Sequence, residues 1–109
     1  MKIELAKKEI IHFIGIGGIG MSGLALIMKA KGFQIQGSDI NKNKNIEKLK
    51  KQGVRIFIGQ KKQNIKDVTI VVTSSAIKKS NPELLEAKRK KLPVIKRGKM
   101  LANLVSLMK

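Results

Sequence analysis

The chain has 109 residues and a formal net charge of +17, with 24 lysines and arginines against seven aspartates and glutamates. This length predicts one domain with one hydrophobic core, and the absence of cysteine excludes disulfides, thiolate metal sites and a thiol nucleophile. The lysines are spread along the sequence, and Trp and Tyr, on which bases stack, are absent. We therefore interpret the charge as solvated surface that favours anionic ligands, and we predict no nucleic-acid partner.

An uncharged segment of 19 residues, from Ile10 to Met28, has the length of a membrane span. It contains five glycines, and the basic N-terminus is interrupted by Glu4 and Glu9, unlike a signal peptide. A buried strand followed by a core helix gives the same hydropathy. We therefore predict no membrane segment and a cytoplasmic protein.

Apolar runs alternate with helical patterns along the whole chain. The predicted elements, in chain order, are a strand at 10–16, a helix at 20–31, a strand at 33–38, a helix at 46–52, a strand at 54–58, a polar connection at 59–66, a strand at 68–73, a helix from 80 to about 91, a strand at 93–95 and a helix at 98–108. This order predicts an α/β, Rossmann-like, three-layer fold with a five-stranded, mostly parallel sheet and right-handed crossovers.

Three details of these elements are predicted from spacing. Ser80 and Glu83 are spaced as a capping box, which indicates that Ser80 begins the third helix. His12 lies in the first strand, and one histidine cannot form a metal site alone, so a structural role is predicted. The last helix is predicted to have one apolar face made of Leu101, Leu104, Val105 and Met108.

A glycine-rich turn joins the first strand to the first helix. Gly15, Gly17 and Gly20 have the dinucleotide-binding spacing, and Asp39 ends the next strand, where that motif has its ribose-binding acid. The first N–H groups of a helix have no intrahelical partner, and glycine lets an anion come close to them. The pattern predicts a ligand with a diphosphate and fits a nicotinamide dinucleotide as well as other nucleotides.

Polar or small residues also follow the other predicted strands. Because the carboxyl ends of parallel strands meet at one edge of a sheet, these segments are expected to form one crevice. The segments that converge are 17–20, 38–39, 59–60 and 74–76.

In several of these segments the sequence closely resembles the bacterial Mur ligases. The similar segments are 11–25 (IHFIGIGGIGMSGLA), 37–39 (GSD), 71–77 (VVTSSAI), 81–83 (NPE) and 93–97 (PVIKR), in the order and spacing of the family. Within that family, the greatest similarity is to the members that attach L-alanine to UDP-N-acetylmuramate. The resemblance covers about residues 10–105 and implies a Rossmann-like domain that binds the UDP-sugar.

The resemblance implies a role for particular residues. The diphosphate and the neighbouring sugar would be held by the backbone of Gly17, Gly18, Ile19, Gly20, Met21 and Ser22. The spacing of Met21 also fits a core residue. Gly15 is interpreted as part of the turn alone. Ser38, Asp39 and Ile40 would lie near the uridine, with Asp39 as an alternative cap of the following turn. The uracil side would be lined by Ser74, Ser75 and Ala76, with an ordinary turn at the strand exit as the alternative for the serines. Arg97 would reach the phosphates, with a solvated surface arginine as the alternative.

Two departures from the family pattern stand out. Gln60 occupies a position where the family commonly has a histidine, and an amide cannot be protonated to pair with a phosphate. The family continues into an ATP loop with a Gly-Lys-Thr sequence, which Gly98-Lys99-Met100 does not match. The resemblance therefore implies that 1–109 is one domain of a longer ligase, whose last helix leads toward an ATP-binding domain.

In that ligase, ATP and Mg²⁺ would activate the muramate carboxylate as an acyl phosphate for attack by L-alanine. We expect this chain to bind UDP-N-acetylmuramate without a catalytic residue or a metal site of its own. The alternative is an NAD(P)-binding module of a dehydrogenase or regulatory protein, which explains the glycines and Asp39 equally well.

Overall fold

Five strands form one parallel sheet in the computed structural model, which describes residues 5–107. The order of the strands across the sheet is β3-β2-β1-β4-β5, and every neighbouring pair is parallel. The strands are β1 (Ile10–Ile14), β2 (Gln34–Asp39), β3 (Arg55–Ile58), β4 (Ile70–Thr73) and β5 (Val94–Lys96). The predicted α/β fold with a five-stranded parallel sheet is confirmed.

Helices cover both faces of this sheet. They are α1 (Ile19–Ala30), α2 (Lys44–Lys51), α3 (Pro82–Arg89) and α4 (Arg97–Leu107). A short 3₁₀ helix, Lys62–Ile65, lies inside the segment predicted as a polar connection, and its Ile65 is fully buried. None of the helices described between residues 5 and 107 is long and apolar enough to cross a membrane.

The side chains of each strand alternate between two cores, as the two-residue period of a strand requires. On one face, Phe13 and Val72 pack with α1, α2 and α4. On the other, Ile14 and Val71 pack with Ile65 and the apolar side of α3. We call these the α1 face and the α3 face.

The predicted apolar face of the last helix is partly wrong. Leu104 is buried, but Leu101 and Val105 are exposed, and Met108 lies outside the described residues. Met100, one helical turn before Leu104, takes the inward position instead. The helix begins at Arg97 directly after β5, and that junction fixes its rotation, which the spacing of apolar residues alone did not determine.

The start of α3 also differs from the prediction. Asn81, not Ser80, is the N-cap: its Oδ1 accepts hydrogen bonds from the backbone N–H groups of Glu83 (2.9 Å) and Leu84 (3.3 Å). Pro82 then takes the first helical position, which its fixed φ favours. Glu83 is therefore too close to the cap to complete a capping box, and its side chain is buried.

Candidate functional site

The glycine turn after β1 is held tightly against β2. The backbone N–H groups of Gly15 and Ile16 both donate to the carbonyl of Ser38, each at 2.9 Å, and Gly18 N–H donates to Gly15 O at 3.1 Å. Gly15 has a φ of +79°, which favours glycine. Its structural role in the turn, as interpreted from the sequence, agrees with this geometry.

Asp39 joins the end of β2 to this turn. Its Oδ2 accepts a hydrogen bond from Gly17 N–H at 2.8 Å, while the carbonyl of Gly17 accepts from the side chains of Asn43 (3.2 Å) and Asn45 (3.0 Å). A Cβ on Gly17 would lie 2.9 Å from Asp39 Oδ2. Asp39 thus organises the glycine turn, and the N–H groups of Gly17 and Gly18 are occupied within the protein.

The next backbone N–H groups, at the start of α1, are different. The N-cap residue Gly18 provides no side-chain hydrogen bond. Within residues 5–107, the N–H groups of Ile19, Gly20 and Met21 have no acceptor, whereas Ser22 N–H donates to Gly18 O. Unpaired N–H groups and the helix dipole make this end of α1 attractive to anions.

Arg97 lies beside the same end of α1. A Cβ placed on Gly20 would be 2.9 Å from Arg97 Nε and 3.0 Å from Cζ, so the guanidinium packs directly over the glycine. Arg97 is half-buried at the junction of β5 and α4. The fold therefore brings a fixed positive charge from residue 97 to the free N–H groups of residues 19–21.

A cleft of about 510 Å³ opens at the carboxyl edge of the sheet. Seven of the predicted site residues line it: Gly18, Met21, Asp39, Ile40, Gln60, Ser74 and Ala76. The other residues that line it are Gly15, Ile77, Lys78, Ser80, Asn81 and Pro82. The predicted convergence of the strand ends is therefore observed for segments from β1, β2, β3 and β4.

The remaining predicted residues do not line this cleft. Gly17, Ile19 and Gly20 belong to the glycine turn and the start of α1 beside it, and the Arg97 side chain lies against Gly20. Ser75 is exposed and lies outside the cleft. Ser22 is buried, and its hydroxyl donates to Ile19 O at 3.2 Å. The side chain of Ser22 is therefore committed within α1.

Ser38 is a correction to the sequence prediction. It is fully buried, and its hydroxyl donates to Glu83 Oε1 at 2.6 Å. Side chains alternate along β2, so Ser38 lies on the α3 face while Asp39 lies at the cleft. The serine hydroxyl is therefore not available to a ligand in the cleft.

Glu83 is the centre of a buried polar network under the cleft. Its Oε1 accepts from His12 Nε2 (2.7 Å) and Ser38, and its Oε2 accepts from Asn64 Nδ2 (2.6 Å) and Lys61 N–H (3.1 Å). Burial by itself raises the pKa of a carboxyl group, but the hydrogen bonds from His12, Ser38 and Asn64 outweigh burial and hold the pKa of Glu83 below its ordinary value.

The protonation of His12 follows from its neighbours. Gln36 Nε2 lies 2.8 Å from His12 Nδ1 and donates to the carbonyl of Asn64 at 2.9 Å. The NH₂ group of Gln36 therefore faces both atoms, so His12 Nδ1 accepts and Nε2–H donates to Glu83. The histidine has a structural role, and Glu83 is a buried anion satisfied by four donors.

An amide pair forms the wall of the cleft between β3 and α3. Gln60 Oε1 accepts a hydrogen bond from Asn81 Nδ2 at 2.7 Å. Gln60 is a predicted site residue, whereas Asn81, Lys78 and Ser80 are cleft residues that the sequence did not indicate. A polar residue before a proline and a helix indicates a helix cap, but the sequence contains no signal that the side chain of this cap also faces a cleft.

The described residues offer no metal site of the usual kind. No group of three or more His, Cys, Asp or Glu side chains is placed to hold an ion between residues 5 and 107. Gly98 and Lys99 lie in the first turn of α4 and not in a phosphate-binding loop. Within the described residues, Gly98 and Lys99 therefore do not form an ATP loop of the Gly-Lys-Thr kind.

Comparisons with known proteins are consistent with this architecture. The family model described as "Mur ligase family, catalytic domain" matches residues 10–109. The UDP-N-acetylmuramate–L-alanine ligase of Pelagibacter ubique is 70% identical over 109 residues, which is 100% of this chain and 24% of that protein. The ligase of the same name from Rickettsia prowazekii is 55% identical over 97 residues, or 89% of this chain and 20% of that protein.

Solved structures show the same fold. The UDP-N-acetylmuramate–alanine ligase of Thermotoga maritima superimposes with a TM-score of 0.88 at 33% identity, over 92% of this chain and 23% of that one. The UDP-N-acetylmuramate:L-alanyl-γ-D-glutamyl-meso-diaminopimelate ligase of Neisseria meningitides gives a TM-score of 0.76 at 27% identity, over 82% and 28% of the two chains.

This chain spans about a quarter or less of the length of these curated relatives. The match nevertheless includes the glycine turn, all five strands and the start of α4, which carry the geometry described above. The chain belongs to the Mur ligase family.

Proposed function

We propose that this chain is the UDP-N-acetylmuramate-binding domain of an ATP-dependent UDP-N-acetylmuramate–L-alanine ligase. The observation that carries the proposal is the group of unpaired N–H groups of Ile19, Gly20 and Met21, with Arg97 beside them, at the edge of the cleft. The volume of the cleft, about 510 Å³, lies within the range of small-molecule sites.

In this proposal the diphosphate is bound at the start of α1. Each charge-assisted hydrogen bond from a backbone N–H contributes about 1.5–3 kcal/mol, and the helix dipole adds about 0.3–1 kcal/mol. Arg97 supplies the positive charge. Gly17 and Gly18 contribute by shaping the turn, because their own N–H groups are bonded to Asp39 and Gly15.

The uncharged parts of the ligand would occupy the rest of the cleft. Ile40, Ser74, Ala76 and Gln60 line it and would contact the nucleoside, with Ser75 at its outer side. Asp39 would act mainly by holding the glycine turn, since one of its oxygens is bonded to Gly17. Ser38 and Ser22 are left out of the proposed ligand contacts, because their hydroxyls are committed elsewhere.

The full ligase would join L-alanine to the lactyl carboxylate of UDP-N-acetylmuramate and so build a peptidoglycan precursor. We take the domain as residues 1–109. ATP and Mg²⁺ would be bound by other parts of the ligase, and we assign no step of the ligation to a residue of this chain. The substrates are nucleotide-linked metabolites and ATP, which supports a cytoplasmic location.

The proposal is tested by calorimetric titration of the 109-residue chain with UDP-N-acetylmuramate and, in parallel, with NADH. We expect heat of binding with the UDP-sugar and none with NADH. The bond between Asp39 Oδ2 and Gly17 N–H occupies one oxygen of the acid that a dinucleotide site would use to bind both ribose hydroxyls. Binding of NADH without binding of the UDP-sugar would overturn the proposal.

A further inference from the structure

The amide pair between Gln60 and Asn81 has unused hydrogen-bonding capacity. Asn81 Oδ1 is fully committed to capping α3, and Asn81 Nδ2 donates to Gln60 Oε1. In the described part of the chain, the Nε2 group of Gln60 has no acceptor, although Gln60 lines the cleft. The pair therefore offers uncharged N–H donors in the cleft, and Gln60 follows β3, at the opposite edge of the sheet from β5, which Arg97 follows.

Both members of the pair are anchored to one buried carboxylate. Glu83 lies two residues after Asn81, in the first turn of α3. On the other side, Glu83 Oε2 accepts from Lys61 N–H, directly after Gln60, and from Asn64 Nδ2. Asn64 Nδ2 also donates to the carbonyl of Gly59, directly before Gln60, at 2.9 Å.

The anchor is itself fixed from the sheet. His12 on β1 and Ser38 on β2 donate to the other oxygen of Glu83, and both are fully buried. The carboxylate thus links two central strands to the two segments that carry the amide pair. A buried anion with four donors has one favourable position, so these segments have little freedom to shift.

We infer that Glu83 is a positioning residue that holds the Gln60–Asn81 pair in the orientation needed to bind the uncharged end of the ligand. The inference rests on the proposed function, in which the charged diphosphate of a UDP-sugar is bound at the start of α1. Neutral amide donors suit the carbonyl oxygens of an uncharged group better than they suit a phosphate.

The test compares two glutamates on the same helix. Glu83→Gln removes the buried charge and places an NH₂ group against N–H or O–H donors. The matched control is Glu86→Gln, which changes a carboxylate that accepts from Arg89 and, among the described residues, lies outside the Glu83 network. Each substitution is made both in the parent chain and in a chain that also carries Gln60→Ala, and every variant is titrated with UDP-N-acetylmuramate. Asn64→Ala, which removes the tether to Gly59, is a second variant in case Glu83→Gln fails to fold.

We expect Glu83→Gln and Asn64→Ala each to weaken binding about fivefold to tenfold, with Glu86→Gln within about twofold of the parent. In the Gln60→Ala background, the same changes should weaken binding by no more than about twofold, because a positioning residue acts through the pair. A purely structural role of Glu83 predicts equal losses in both backgrounds, and that result would overturn the inference.

A second readout does not depend on the ligand. In NMR spectra of the unliganded chain, Glu83→Gln and Asn64→Ala should shift the side-chain amide signals of Gln60 and Asn81, and Glu86→Gln should leave them in place. Unchanged amide signals in both network variants would refute the positioning role. If the parent bound no UDP-sugar while these signals shifted, the proposed function would fail and the orienting role of Glu83 would stand.

Discussion

The two faces of the sheet are stabilised by different kinds of contact. The α1 face is packed mainly with apolar side chains from the strands and from three helices, among them Phe13 of β1 and Leu24 and Met28 of α1. The α3 face has a smaller apolar cluster and, next to it, the buried carboxylate of Glu83 with its four donors. Both faces end at the same cleft.

This difference bears on how each side of the cleft is built. Apolar burial is non-directional and contributes in proportion to area, so the α1 face can stabilise the fold without fixing any one polar atom. A buried hydrogen-bond network is directional, and each unsatisfied member is costly. The α3 face therefore specifies the orientation of the segments around Gln60 and Asn81, whereas the start of α1 keeps its N–H groups unpaired.

The largest expected effect is on the α1 face. Phe13 is fully buried between the sheet and the helices. Phe13→Ala should lower the free energy of unfolding by about 3–5 kcal/mol through lost burial and a new cavity. Urea denaturation followed by circular dichroism measures this loss. A loss below about 1 kcal/mol would mean that this face is not the main source of stability.

Acid should weaken the α3 face specifically. The pKa of Glu83 is lower in the folded chain than its ordinary value near 4.5, so the unfolded chain takes up this proton first as the pH falls. The contribution of the Glu83 carboxylate to the free energy of unfolding is then complete above its ordinary pKa, and it is lost as the pH falls through the lower pKa of the folded chain.

The acid effect is measured as the difference in unfolding free energy between the parent and Glu83→Gln, at several pH values from about 7 to about 3. The other carboxyl groups titrate in both chains, so the difference isolates Glu83. It should be constant near neutral pH and shrink in acid. A difference independent of pH would contradict the buried, ionised state of Glu83.

A smaller loss is expected from Ser38→Ala, which removes one of the four donors to Glu83. Because the acceptor is charged, the bond contributes about 1.5–3 kcal/mol to the free energy of unfolding. Denaturation in urea should show this decrease together with a higher pKa of Glu83, measured by NMR titration of its side-chain carbon. Unchanged stability would show that three donors suffice.

The smallest effect is predicted at the open end of α1. Gly20→Ala would place a methyl group 2.9 Å from Arg97 Nε and push the guanidinium away from the free N–H groups. We expect binding of UDP-N-acetylmuramate to weaken about tenfold, or about 1.4 kcal/mol. Gly23→Ala is the matched control, since a Cβ there meets nothing within 4 Å. Equal affinities for the two variants would exclude Arg97 from the ligand site.

Much of the fold was predictable because local signals agreed with it. The apolar runs and the glycines at positions 15, 32 and 53, which all have a positive φ, mark the strands and turns. The crevice segments were predictable too, because parallel strands place their carboxyl ends at one edge. The direction of each side chain there was less predictable: Ser38 and Asp39 are adjacent in sequence, yet one is buried on the α3 face and the other reaches the glycine turn.

The sequence by itself determined the order of elements, the glycine turn and the resemblance to the Mur ligases, because these depend on local spacing and on motifs that read continuously along the chain. Only the tertiary structure decided which N–H groups of the turn are free, where Arg97 lies, and that Glu83 is bonded to His12 from 71 residues away. Such contacts depend on how the strands and helices are arranged in space. The N-cap of α3 is Asn81, one residue later than the predicted Ser80. Because of this shift, Glu83 is the buried centre of a network and not the partner of Ser80 in a capping box.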